Sequence, residues 1–138
     1  MAAELVLRLK NDPAEIVRLA SLIDAFCADH AVAEATAAQL NLVLDEAITN
    51  IIAYAYDDAG EHEITVRISL APGALTAELV DDGRAFDPLQ APPPDLDAPL
   101  AERSVGGLGV HLMRRLMDDV RYRRDGARNH LVLAKRIA

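Results

Sequence analysis

The sequence predicts an α+β fold, a two-layer sandwich in which helices cover one face of a mixed, mostly antiparallel sheet. Apolar residues alternate with period two in segments that are paired by tight turns, which is typical of antiparallel neighbours. Two helical stretches follow the first strand, and a third precedes the last pair of strands. The 138 residues, 51% hydrophobic and 26% charged, suit one globular domain over residues 1–138.

The first three elements are a strand and two helices. Residues 4–9 read as a strand. Asp12 and Pro13 then supply an N-cap and a proline at the first helical position, so a helix is expected to run to about His30. A second helix, with an apolar side at helical spacing, is expected over roughly residues 33–54.

A hairpin and a long loop follow. Residues 64–70 and 75–81 alternate as strands around a turn at residues 71–73. Residues 83–105 contain five prolines and are expected to lack regular structure. A loop of this length inside a small domain is usually a lid, a binding loop or a disordered segment.

The C-terminal part contains one helix and one hairpin. A helix is expected from Gly109 to about Met117, and residues 120–124 and 130–137 form the two strands of the hairpin around an Asp-Gly turn. The element order is therefore β-α-α-β-β-loop-α-β-β.

Charge and composition restrict the function. A net charge of −8 disfavours non-specific binding to nucleic acid or to an anionic membrane. Residues 114–138 nevertheless carry a net +5, leaving −13 for residues 1–113, which could steer an acidic partner or a nucleotide; a solvated basic strand face is the commoner meaning. The sequence shows no signal peptide, and no apolar stretch in it approaches the roughly 20 residues that span a bilayer. We therefore expect a cytoplasmic protein.

Glu46 and Asn50 form the first candidate site. They are four residues apart on the second helix and therefore project from one face, one turn apart. A carboxylate and an amide oxygen suit Mg²⁺, a hard cation that takes oxygen ligands. The alternative is an ordinary polar stripe on an amphipathic helix.

Asp81 and Gly83 form the second candidate site, at the end of a strand. An acid aimed into a cleft can accept a hydrogen bond from the exocyclic amine of adenine, and the glycine lets the backbone come close to the ring. The alternative is a plain Asp-Gly turn, a common strand terminator.

Gly106, Gly107 and Gly109 form the third candidate site, before an apolar helix. Free N–H groups at a helix N-terminus bind phosphate oxygens, and glycines admit the oxygens to them. The segment is neither a Rossmann fingerprint nor a P-loop, and a flexible hinge is the alternative.

Together these motifs resemble a known family. Residues 42–52 resemble the N box of the GHKL ATPase superfamily, residues 80–88 its G1 box and residues 104–112 its G2 box. The short chain and the Phe-Asp-Pro after G1 resemble the bacterial anti-sigma-factor serine kinases. Ala85 departs from the pattern, because many members carry a second G1 glycine there. The resemblance implies a Bergerat-type ATP-binding fold with an ATP lid at about residues 84–105.

The resemblance also implies roles for single residues. Asn50 would ligate Mg²⁺, and Glu46 would be the general base that activates an attacking hydroxyl. Asp81 would bind the adenine amine of ATP, with Gly83 allowing close approach. The glycines of the third site would let the lid and the helix start wrap the phosphates.

The function implied is that of an ATP- and Mg²⁺-dependent protein serine/threonine kinase. Its substrate would be a small anti-sigma-factor antagonist, a sigma factor is a possible second partner, and the family suggests a homodimer. Two other readings stay open: a nucleotide-gated protein-binding module that transfers no phosphate, and a simple ATPase.

Overall fold

The computed structural model describes residues 2–56, 58, 60–90 and 107–137. These residues form five strands and three α-helices in the predicted order. The elements are β1 (Ala3–Lys10), α1 (Glu15–Asp29), α2 (Glu34–Tyr54), β2 (Glu63–Ala71), β3 (Ala74–Asp81), α3 (Gly107–Leu116), β4 (Asp119–Asp125) and β5 (Arg128–Arg136).

The strands form one sheet in the order β1-β2-β3-β5-β4. All four pairings among the described strands are antiparallel, so the sheet is not mixed. In the pairing of β3 with β5, Asp81 lies opposite Asn129. The end of the central strand β3 thus meets the start of β5, and this corner of the sheet carries the candidate base-binding carboxylate.

The core lies between the helices and one face of the sheet, as the apolar periodicities predict. It includes fully buried side chains from α1, α2 and the central strands, such as Ile23, Ile48, Ile68 and Leu79. Burying side chains of this size stabilises the fold by roughly 1.5–3 kcal/mol each. The predicted α+β sandwich with helices on one face is therefore confirmed.

Most boundaries lie within two residues of the sequence-based expectation, and two differences bear on the site. The third helix begins at Gly107 rather than at Gly109, so Gly109 lies within its first turn. Pro88–Gln90 forms a single turn of 3-10 helix inside the segment expected to lack regular structure. The Asp87 carboxylate explains that turn, because its Oδ1 accepts a hydrogen bond from the Leu89 amide at 2.9 Å.

Candidate functional site

Helix α2 presents Glu46 and Asn50 one turn apart, as predicted. Asn50 is buried, with 5% of its surface exposed, and Glu46 is half-buried. The neighbouring Asp45 and Thr49 face solvent instead, and the Thr49 hydroxyl donates to the Asp45 carboxylate at 3.3 Å. The polar residues here are therefore divided between an outer pair and an inner pair, and a uniform solvated stripe does not describe them.

The first turn of α3 packs directly against the inner pair. A methyl group built at Gly109 would lie 2.8 Å from Oε2 of Glu46 and 3.6 Å from Nδ2 of Asn50. Only glycine fits at this distance without moving the glutamate side chain. The structure thus brings the first and third candidate motifs into contact, although they are about 60 residues apart in the chain.

The amide of Asn50 fits a magnesium ligand. Its Nδ2 is fully buried, and no described group bonds it, which normally costs about 1–3 kcal/mol. Since amide nitrogen and oxygen are assigned from the hydrogen-bond network, a half-turn of this amide would direct Oδ1 to the same place. Among the described residues no cluster of three or more His, Cys, Asp or Glu side chains could hold a metal alone. A Mg²⁺ shared between one side-chain oxygen and nucleotide phosphates matches this donor set.

The electrostatics of Glu46 suit a proton acceptor. Burial, and next the nearby charge of Asp45, raise the pKa of the Glu46 carboxyl above its ordinary value. No described residue forms a hydrogen bond or an ion pair with this carboxylate. A carboxylate with a raised pKa and free oxygens is a better base than a solvated one.

Asp81 ends β3 with a buried carboxylate, 4% exposed. Its Oδ1 accepts two hydrogen bonds of 2.9 Å, from the Gly83 amide and from Nδ2 of Asn129. Burial is the largest influence on the Asp81 carboxyl and raises its pKa, whereas these two hydrogen bonds lower it. The turn expected at this position exists, but it orients the carboxylate rather than only terminating the strand.

Gly83 needs to be glycine because of its contact with helix α2. A methyl group built there would lie 2.4 Å from the carbonyl oxygen of Ala55 and 2.6 Å from its Cβ. Arg84 fixes the same junction, since its amide donates to the Ala55 carbonyl at 2.8 Å and its Nε to the Tyr54 carbonyl at 2.7 Å. Close approach of Gly83 to a nucleotide stays a prediction; the close approach that the structure shows is to Ala55.

Asn129 was not found by sequence reasoning, yet it is central to this corner. It is buried on β5, and its Nδ2 donates to Asp81 and to the Arg84 carbonyl, the latter at 2.8 Å. Its Oδ1 accepts from the Tyr122 hydroxyl and from Nη1 of Arg124. A lone asparagine in a strand has no local pattern, and the hint available was that an amide is unusual at an inward-facing strand position.

The first and second candidate motifs meet at one small cavity. Asn50 and Asp81 both line it, together with Phe86 and Pro88 from the loop after β3. Its volume is about 20 Å³, which accommodates roughly one water molecule. Phe86 is held there by stacking on Tyr54, with ring centroids 5.6 Å apart. A nucleotide base therefore requires this lining to move.

The third candidate motif is described in part. Gly107 is the first residue of α3, and Gly109 is buried against α2. Gly106 and residues 91–105 of the expected lid lie outside the described residues. The described start of that lid, residues 84–90, is anchored to the end of α2 and to Asn129 rather than standing free.

Comparison with known proteins identifies the family of this chain. The family model of the histidine kinase-like ATPase domain matches residues 9–135. The chain belongs to this family. The resemblance drawn from the three motifs is therefore confirmed, and membership of an ATPase domain family implies that the nucleotide is ATP.

Several curated relatives are protein kinases. The chain is 33% identical over 99 residues to serine/threonine-protein kinase BtrW of Bordetella bronchiseptica, covering 72% of this chain and 70% of BtrW. It is 34% identical over 86 residues to serine-protein kinase RsbW of Bacillus velezensis, covering 59% of this chain and 54% of RsbW. The match thus spans only about half of the RsbW protein. The names of these relatives confirm the enzyme class predicted from the sequence, a protein kinase.

A solved structure confirms the fold. The histidine kinase domain from the Erythrobacter litoralis EL346 blue-light activated histidine kinase superposes with a TM-score of 0.54 at 20% sequence identity. The match covers 89% of this chain and 59% of that one. Within the described part of the protein, none of the helices combines the length and apolar composition that spanning a bilayer requires.

Proposed function

We propose that this chain is an ATP- and Mg²⁺-dependent protein serine/threonine kinase of the anti-sigma-factor type. Its substrate is a serine or threonine on a small anti-sigma-factor antagonist, with a sigma factor as a second partner and a homodimer as the working form. The observation that carries the proposal is the convergence at α2: Glu46 and Asn50 lie against Gly109, while Asn50 shares a cavity with Asp81. The similarity to BtrW and RsbW supports a protein hydroxyl as the acceptor.

The proposed chemistry follows from these positions. Asp81 binds the exocyclic amine of adenine and fixes the base at the β3 end of the cavity. Glu46 takes the proton of the acceptor hydroxyl while the oxygen of that hydroxyl attacks the γ-phosphorus of ATP. The bond between the γ-phosphorus and the bridging oxygen breaks, and the bridging oxygen leaves with ADP. The amide groups at the start of α3 and the positive end of its dipole stabilise charge on the transferred group.

Asn50 is the residue that would hold Mg²⁺. The ion, when bound, neutralises charge on the β- and γ-phosphates. In this proposal Gly109 leaves Glu46 and Asn50 uncovered for the phosphates, because a Cβ at that position would lie 2.8 Å from Oε2 of Glu46 and 3.6 Å from Nδ2 of Asn50. Residues 84–105 act as the lid of a single ATP-binding domain.

A nucleotide-gated binding module is the second candidate, and the small cavity favours it. Since about 20 Å³ admits no base, nucleotide entry has to displace part of the cavity lining, and such a movement would by itself change the surface offered to a partner. Glu46 argues for the kinase, because nucleotide binding needs no half-buried carboxylate with a raised pKa. An ATPase would use the same carboxylate to activate water.

A magnesium-dependence experiment tests the assignment of Asn50. ATP affinity is measured with Mg²⁺ and with excess chelator for the wild type and for Asn50→Ala, with the solvent-facing Thr49→Ala as the matched control. We expect the magnesium-dependent part of the affinity to disappear only in Asn50→Ala. An unchanged magnesium effect in that variant would remove Asn50 from the site. The destination of the γ-phosphate then separates the three functions. Transfer to protein indicates a kinase, transfer to water indicates an ATPase, and no transfer indicates the nucleotide-gated binding module.

A further inference from the structure

Asn129 connects three segments around the candidate base-binding carboxylate. It lies opposite Asp81 in the β3–β5 pairing and is 4% exposed. Its Nδ2 donates one hydrogen to Oδ1 of Asp81 at 2.9 Å and the other to the Arg84 carbonyl at 2.8 Å. Both amide hydrogens are therefore used by the protein, and Asn129 has none left for a ligand.

The orientation of the Asn129 amide is set by the donors around its oxygen. The Tyr122 hydroxyl, Nη1 of Arg124 at 3.1 Å and the Phe86 amide at 3.4 Å all point to Oδ1. A flipped amide would place NH₂ against these donors and an oxygen against Asp81. Nδ2 consequently has to face the carboxylate.

The same geometry distinguishes the two oxygens of Asp81. The Gly83 amide and Asn129 both donate to Oδ1. No described residue donates to Oδ2. An ionised carboxylate accepts at both oxygens, so Oδ2 retains its capacity for a donor on a ligand.

We propose that Asn129 is the positioning residue for Asp81, holding Oδ1 on the protein side so that Oδ2 is presented to the amine of the base. The inference rests on the proposed function, in which Asp81 receives adenine. It assigns to Asn129 no contact with the nucleotide. Its role is to fix the rotamer of Asp81 and to favour its ionised form.

The charged surroundings of Asp81 make this role measurable. Burial raises the pKa of Asp81, and the negative charge of the neighbouring Asp82 raises it to a smaller extent. After burial, the negative charge of Asp81 is in turn the largest influence that raises the pKa of the Tyr56 hydroxyl. Asn129, the Gly83 amide and the charge of Arg124 lower that pKa. The hydrogen bond from Asn129 is the largest of the lowering influences, so its removal should raise the pKa of Asp81 further.

The test replaces the donor and keeps the shape. Asn129→Leu removes the amide donor without adding a charge beside Asp81, and Asn129→Thr retains a hydroxyl donor one bond closer to the backbone. His130→Gln, on the opposite face of the same strand, is the matched control. The Asp81 carboxyl is titrated by ¹³C NMR without nucleotide, and ATP affinity is then measured against pH.

We expect the Asp81 titration to move up by about one pH unit or more in Asn129→Leu, by less in Asn129→Thr, and to stay near the wild-type value in His130→Gln. ATP affinity at pH 7 should fall about tenfold or more in Asn129→Leu, with the loss growing as pH decreases. If Asn129→Leu fails to fold, Asn129→Ala removes the same donor and gives the comparison.

An unchanged Asp81 titration in a folded Asn129→Leu or Asn129→Ala would overturn the inference. A purely structural role would lower thermal stability without moving that titration. If the titration moves but the wild type has no affinity for ATP, the proposed function fails while the coupling of Asn129 to Asp81 is established.

Discussion

The α-carbon of Gly109 lies against the carboxylate of Glu46, with space for a hydrogen atom but not for a methyl group. A Cβ at Gly109 would come within 2.8 Å of Oε2 and 3.3 Å of the Glu46 Cβ. The glycine is therefore more than a flexible hinge, because it belongs to a helix and determines how closely α3 approaches α2. The position of the Glu46 carboxylate, the candidate general base, depends on this contact.

Gly109→Ala should impair phosphate transfer more than folding. The clashing atom is the far end of a flexible side chain, so we expect the Glu46 carboxylate to be displaced while the helices stay packed. A misplacement of about 1 Å can reduce a rate by about a hundredfold. The measurements are single-turnover phosphate transfer and the thermal midpoint. A transfer rate equal to that of the wild type would contradict the assigned role of this contact.

Asp81→Asn should abolish measurable ATP binding, a loss of about a hundredfold or more. The Gly83 amide and Asn129 both donate at the Oδ1 position, so the amide oxygen of the variant should settle there. Its NH₂ group would then face the adenine amine, donor against donor. The variant should also lose its preference for ATP over ITP, whose base carries an acceptor at that position.

The control for this substitution is Asp82→Asn, because the Asp82 side chain is 57% exposed and next in the chain. Equilibrium titration with both nucleotides provides the comparison. Wild-type ATP affinity in Asp81→Asn would show that the adenine assignment is wrong.

Gly83→Ala should reduce the free energy of unfolding by about 2–3 kcal/mol. The added methyl group meets the Ala55 backbone carbonyl at 2.4 Å, and a backbone atom at the end of a helix cannot step aside as a side chain can. Gly126→Ala is the comparison, since its Cβ would have open space and only the positive φ of 59° opposes it. Urea unfolding measures both. Equal and small losses would mean that the junction between Gly83 and Ala55 is looser than the structure shows.

Local patterns in the sequence predicted those parts of the site that depend on a single element. The four-residue spacing of Glu46 and Asn50 determines a shared helix face, and the alternation of β3 determines that Asp81 points inward. Both expectations follow from helix and strand geometry alone. The element order and the one-sided packing of helices follow from the same periodicities.

The parts that the sequence did not predict depend on contacts between distant segments. Asn129 bonds groups that are 43, 45 and 48 residues away, and nothing beside it in the chain indicates them. The reason for Gly83 was likewise missed, because its neighbour Ala55 belongs to another element. The assigned chemical roles of Glu46, Asn50 and Asp81 stay predictions, since a fold places side chains without showing turnover.

The most direct test of the account follows phosphate from labelled ATP. The chain is incubated with Mg²⁺, γ-labelled ATP and a lysate of the source cell, and the wild type is compared with Glu46→Gln, which keeps the shape of the side chain but cannot accept the proton. We predict one small labelled protein with the wild type, its labelling reduced at least about a hundredfold in the variant, and ATP binding retained by both. Equal labelling by the two proteins, or ATP binding without any label in the lysate, would contradict the assignment of a kinase with Glu46 as its base.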